Sequence, residues 1–200
     1  MADRHTKMDL SDFPKEWGHC LVDRMPEPQG FVRCRMYNPE LDIWKVVLPW
    51  DRNLVVNGGR DAISDQLSGA INTTAWTTLA EAQQFTVTRA LVGDGGHGNP
   101  GPTDPFPPSL TGTDLFNFLH EEPLTAVLRP SEISVGFQFT IDAAGPNDPF
   151  SEFGLGTLGD GVNPGWTPAD STHKLVAHKT FGLITKIAGW EYQITWILVF

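Results

Sequence analysis

Ile133-Ser-Val-Gly-Phe-Gln-Phe-Thr-Ile141 is the stretch that decides the fold class. Ile133, Val135, Phe137, Phe139 and Ile141 alternate with Ser134, Gly136, Gln138 and Thr140, and a period of two is the signature of a strand. The pattern predicts a sheet with one face on a core and the other, polar face turned to water.

Toward the C-terminus, Asp142–Pro149 is rich in turn residues and leads into Phe150-Ser-Glu-Phe-Gly-Leu155. After a loop over 156–171, two closing strands are expected at Lys174–Thr185 and Trp190–Phe200. The second ends in Trp-Ile-Leu-Val-Phe, apolar on both faces. It must therefore lie inside a sheet or sandwich, or beneath another subunit.

Toward the N-terminus, Phe85, Val87, Arg89 and Leu91 alternate with Thr86, Thr88 and Ala90, a further strand. Between them and the central stretch, Gly93–Pro108 is dominated by Gly and Pro and reads as a long loop. Residues 113–120 have room for one or two helical turns. Asn53-Leu-Val-Val-Asn57 reads as a short strand running into Gly58-Gly59-Arg60 and a helix over 60–68. Ile63 and Leu67 share a face of that helix, and Gly69 stops it. Residues 70–84 stay open between an insertion and a second short helix.

Residues 17–50 hold three short strand candidates, 19–25, 31–37 and 43–48, separated by Pro/Gly and Asn-Pro turns. Residues 1–16 are polar and aperiodic, an arm that orders against a neighbour. The expected architecture is an antiparallel β-sandwich (residues 51–200) with one short α-helix, preceded by an N-terminal arm and small β extension (residues 1–50).

Composition agrees with a β fold. Of 200 residues 40% are apolar, with 20 Gly and 16 Pro against only 19% charged, which disfavours a helical bundle. The net charge of −10 and the lack of any basic cluster beyond Arg33 and Arg35 argue against direct nucleic-acid binding. No apolar run reaches membrane-spanning length, and the first residues carry no apolar signal core, so the chain is expected to be cytosolic when made.

Cys20 and Cys34 are too few for a disulfide framework or a zinc site. A hairpin of 19–25 with 31–37 would set them face to face, either bridged or as two reduced small side chains.

Reaction chemistry is sparse. The nucleophile elbow, the P-loop and the H-E-x-x-H motif are absent. Asp94, Asn99 and Asp104 around His97 offer oxygens of the kind calcium takes, but the same residue types build tight turns. His173 and His178 are five apart and point to opposite faces of a strand. Glu121, Glu122, Asp142, Asp148, Glu152 and Asp160 include possible glycosidase pairs, as almost any acidic chain does. No catalytic residue and no cofactor is therefore assigned.

Four segments, read in order, resemble a family of tailed-bacteriophage virion proteins. They are Asn57-Gly-Gly-Arg60 at a strand-to-helix junction, Leu91-Val-Gly-Asp-Gly-Gly-His97 before a Pro-rich loop, Glu152-Phe-Gly-Leu155, and a closing pair. The closing pair holds Lys179-Thr-Phe181, Ile184-Thr-Lys186 and Ile194-Thr-Trp196-Ile-Leu-Val-Phe200. The resemblance implies a non-enzymatic structural part of the virion, in the tail, baseplate or neck or decorating the head. It also implies contacts with other virion proteins and with copies of itself as a homo-oligomer. The residues expected to carry contacts are Trp17, Trp44, Trp50, His97, Phe106 and Phe200. A glycan-binding, adhesin-type module is the alternative, with Trp17, Trp44, Trp50, Trp76 and Trp166 as the rings that would meet sugars.

Overall fold

The computed structural model describes residues 28–60, 62, 86–97, 105–131, 134–157, 166 and 173–200. They form eight strands: β1 (Gln29–Asn38), β2 (Ile43–Val55), β3 (Val87–Gly93), β4 (Phe118–Ser131), β5 (Ser134–Ile141), β6 (Phe150–Thr157), β7 (Leu175–Ile184) and β8 (Glu191–Val199). Every pairing is antiparallel.

The strand order, β1-β2-β7-β6-β3-β4-β5-β8, returns to its start and closes a barrel. The expected open sandwich is thereby corrected, while the mainly β class with one very short helix stands. Closure depends on two long strands that change partner. Over Ile43–Asn53, β2 pairs with β1, and at Leu54 and Val55 it pairs with β7. Likewise β4 pairs with β3 up to Pro123 and with β5 from Leu124. Pro123, which has no N–H to give to a ladder, stands where β4 changes partner.

Several local expectations change with this. The separate strands expected at 43–48 and 53–57 are one strand, because Pro49 is tolerated in a strand with an open edge. The helical turns expected over 113–120 give way to bends and then β4. That strand hides its alternation, since Thr125, Val127 and Arg129 are exposed while Leu124, Ala126 and Leu128 are half-buried. The helix expected at 60–68 begins earlier, at residue 57, and of its later residues only Ala62 is described.

The chain divides into two compact units. The first takes its described residues from Met1–Asn53, Leu124–Asn147 and Ile187–Phe200. Here β8 lies between β1 and β5, with Arg33 opposite Thr195 and Thr195 opposite Gln138. All nine residues of β8 except Glu191 are buried, as its apolar run requires. The polar face expected on β5 is not solvated, however: Ser134, Gln138 and Thr140 are buried too. Gln138 and Thr140 stand opposite the polar Thr195 and Gln193 of β8, while Ser134 stands opposite Val199. Both edges of β1 are occupied, Cys34 facing Leu48 on one side and Ile194 on the other. No edge is left for the expected hairpin partner at 19–25, which lies outside the described residues together with Cys20. Cys34 itself is a free, buried thiol.

The second unit comprises Leu54–Pro123 and Asp148–Lys186. Its core gathers Val56, Leu91, Leu115, Trp166 and Leu175, with Leu54 and Phe118 against it. A second aromatic group joins Phe150, Phe153 and Phe181. The helical turn is tied to β7 through Val56 N–H to the Val176 carbonyl, 3.1 Å. Gly58 and Gly59 permit this approach. A Cβ on Gly59 would lie 2.2 Å from the Val176 carbonyl oxygen, far inside contact distance.

Candidate functional site

In the second unit, polar groups converge on the Glu152 carboxylate, which β6 holds fully buried. Its Oε1 accepts the backbone N–H of Gly95 (3.0 Å) and of Asn117 (2.9 Å). Its Oε2 accepts the N–H of Phe116 (3.0 Å) and bonds His178 Nε2 at 2.8 Å. Burial alone pushes this carboxyl's pKa up, but the bonds from His178, Asn117 and Phe116 outweigh it and hold the pKa below its ordinary value.

One side chain thus fastens three segments: the turn after β3, the bend before β4, and β7. Neighbouring bonds reinforce it. His97 Nδ1 meets Ser151 Oγ at 2.8 Å, Asp94 accepts from the Asn117 amide, and Thr180 Oγ1 donates to the Phe106 carbonyl at 2.6 Å. Along the chain Glu152 is one of many carboxylates, and the spacing of His178 from His173 sets the two on opposite faces of a strand. Only the long-range pairing of Gly154 with His178 brings Glu152 and His178 together.

His97 and Ser151 have the residue types of a nucleophile and its base. Ser151 is fully buried, and its bond to His97 ties the turn after β3 to β6. A second polar knot lies around Trp166. Arg89 bonds Glu121 at 2.6 Å, Glu121 accepts the Trp166 N–H at 2.8 Å, and Asp114 accepts Trp166 Nε1 at 3.0 Å. His173 stacks on the indole at 5.2 Å. The Trp166 ring is buried and cannot present a face to a sugar.

His97 and Phe106 come together, since His97 bridges Pro105 and Phe106 N–H reaches the Gly96 carbonyl at 2.9 Å. Phe106 packs edge-on to Phe116 at 6.1 Å, and both stay about half exposed. Asp94 is spent on Asn117, while Asn99 and Asp104, the other candidate ion ligands, lie outside the described residues. So do Trp17 and Trp76.

In the first unit, the β1–β2 hairpin carries the second exposed apolar surface. Its turn is built by Asn38 Oδ1, which accepts the N–H groups of Glu40 and Leu41, and by Asp42 in the left-handed region at φ 54°. Leu41 is 62% exposed and Val46 54%, with Ile43 and Trp44 between them also exposed. Trp44 stacks on Tyr37 at 4.7 Å and carries the Arg35 guanidinium at 4.6 Å. Trp50 is half-buried beneath Arg33 at 4.7 Å. Trp44 and Trp50 therefore share one strand but differ in access, and Phe200 is exposed beyond the end of β8.

These surfaces, Leu41–Val46 on the hairpin and Phe106 with Phe116 on the loop, are the candidate contact sites, each within its own unit. No family model, no curated protein and no solved structure matches this chain.

Proposed function

We propose that the chain is a non-enzymatic structural component of a tailed-bacteriophage particle, placed in the tail, baseplate or neck or decorating the head. It works through contacts with other virion proteins and with copies of itself. The observation that carries this reading is the exposure of large apolar side chains on ordered turns, above all Leu41 and Val46. Such surface is costly in solution and is a common mark of association.

Two further features support it. Glu152 accepts backbone N–H groups and bonds His178, and His97 bonds Ser151, so these four side chains serve to tie segments together. The motif residues of the resemblance serve as framework: Gly59 against β7, Gly95 on Glu152, and Glu152 itself.

The test is mass spectrometry and antibody labelling of purified particles of the phage that encodes the chain. Its presence at constant stoichiometry in the particles is the expected result. Its absence from particles, with the protein left in the lysate, overturns the proposal.

A further inference from the structure

The first unit's sheet, β2-β1-β8-β5-β4, has two outer strands, and they differ. On its second side β2 meets β7 only at Leu54 and Val55. Among the described residues nothing bonds the outer edge of residues 43–48. That stretch, Ile-Trp-Lys-Val-Val-Leu, is aromatic and largely β-branched, contains no Pro, and carries a single charge. A sequence of this kind with free main-chain donors and acceptors is a template for another strand. The outer part of β4, by contrast, is bracketed by Pro123 and Pro130 and carries Arg129, residues that close an edge.

We propose that the outer edge of β2 over residues 43–48 pairs antiparallel with the same edge of a second copy of this chain, across a two-fold axis at Val46. This rests on the reading of the hairpin as a contact surface and names its occupant. The charges favour a copy in this register. Glu40, in the exposed turn, and the exposed Arg52 flank Val46 on either side, so an axis there turns the acidic end of one copy's strand toward the basic end of the other's, although β2 shifts register on β1 between Val46 and Leu48 and between Leu48 and Asp51. The axis sets Trp44 opposite Leu48, and Lys45 opposite Val47 rather than opposite another Lys45. An axis at Lys45 would bring two ammonium groups face to face, which is destabilising. Pro49, opposite Ile43, ends the ladder and limits it to this stretch. Main-chain bonds then join the two sheets, and Ile43, Trp44 and Val46 lose their exposure.

Size-exclusion chromatography with light scattering on the full chain tests this. The expected result is a dimer that dissociates on dilution. Val46→Lys, at an exposed position, is expected to keep the far-ultraviolet circular dichroism and melting temperature of the wild type. It should raise the dimer dissociation constant at least about tenfold. A wild type that stays monomeric at every attainable concentration overturns the proposal, as does a Val46→Lys variant that associates as tightly as the wild type. If Val46→Lys does not fold, Val46→Cys gives a second reading. Mild oxidation is expected to yield a covalent dimer with Val46→Cys and none with Leu183→Cys or the wild type. Equal cross-linking in all three, or none in Val46→Cys, rejects the two-fold edge. The virion assay is read separately: a dimer absent from particles removes the phage reading and leaves this one standing.

Discussion

His178 Nε2 lies 2.8 Å from Glu152 Oε2, both side chains buried, while the same carboxylate receives three backbone N–H groups from two other segments. The cluster is a knot in which each oxygen of the Glu152 carboxylate already has two partners. Its worth is best measured by removal. Glu152→Ala leaves His178 and three buried N–H donors without their acceptor. The expected loss is about 3–5 kcal/mol of unfolding free energy, the usual cost of breaking a buried pair from one side. Urea denaturation of wild type and variant measures it through the shift in midpoint. A loss below about 1 kcal/mol would mean that water replaces the carboxylate and that the knot is not structural.

The same carboxylate sets an acid limit. Its folded pKa is held below its ordinary value of 4.5 by His178, Asn117 and Phe116 against the opposing effect of burial. Between the two values the unfolded chain binds the proton and the folded chain does not. The stabilisation is therefore complete above about pH 4.5 and lost as pH falls through the folded value. His120 adds an earlier phase. Burial holds its pKa below 6.5, with Asp148 opposing and Lys186 assisting. Its neutral folded form is favoured above pH 6.5, and that contribution declines as pH falls below it. Unfolding free energy is expected to drop in two steps on acidification. His120→Asn should flatten the upper step alone, and Glu152→Gln the lower alone.

Much of the β character is legible from the chain. The alternation in β5 and the apolar run of β8 mark strands because both periodicities are local. Closure into a barrel is not local. A sandwich and a barrel share the same in–out alternation, and the difference lies in β2 and β4 pairing with one neighbour and then another. Proline marks these strands as though they broke, at Pro49 and Pro123, and so obscures them. The Glu152 knot is hidden for a related reason. Its members come from two strands and two turns, and no spacing along the chain joins Gly95, Asn117, Glu152 and His178.

Gly59 tests the strand-to-helix junction. A methyl group there would stand 2.2 Å from the Val176 carbonyl oxygen, a backbone atom that cannot swing aside. Gly59→Ala is expected to cost at least about 2 kcal/mol by forcing the turn from β7. Gly112→Ala is the control, since its nearest heavy atom would be 3.1 Å away in an exposed turn. The Ser109 carbonyl oxygen must give there by a few tenths of an ångström, so the cost should stay below about 1 kcal/mol. Equal melting temperatures for the two variants would show that the junction yields freely.

Trp166 separates packing from hydrogen bonding in the second knot. Its ring fills the space above Gly156, stacks on His173, and gives its Nε1–H to Asp114. Trp166→Phe keeps most of the apolar volume and loses one charge-assisted bond, for an expected cost of about 1.5–3 kcal/mol. Trp166→Ala also empties the site, and about 3–5 kcal/mol is expected. Asp114→Asn keeps an acceptor for the indole without the charge and should fall below both. Chemical denaturation of the three variants gives the order. If Trp166→Phe costs as much as Trp166→Ala, the hydrogen bond to Asp114 outweighs the ring's packing, and the indole is held for its N–H rather than its bulk.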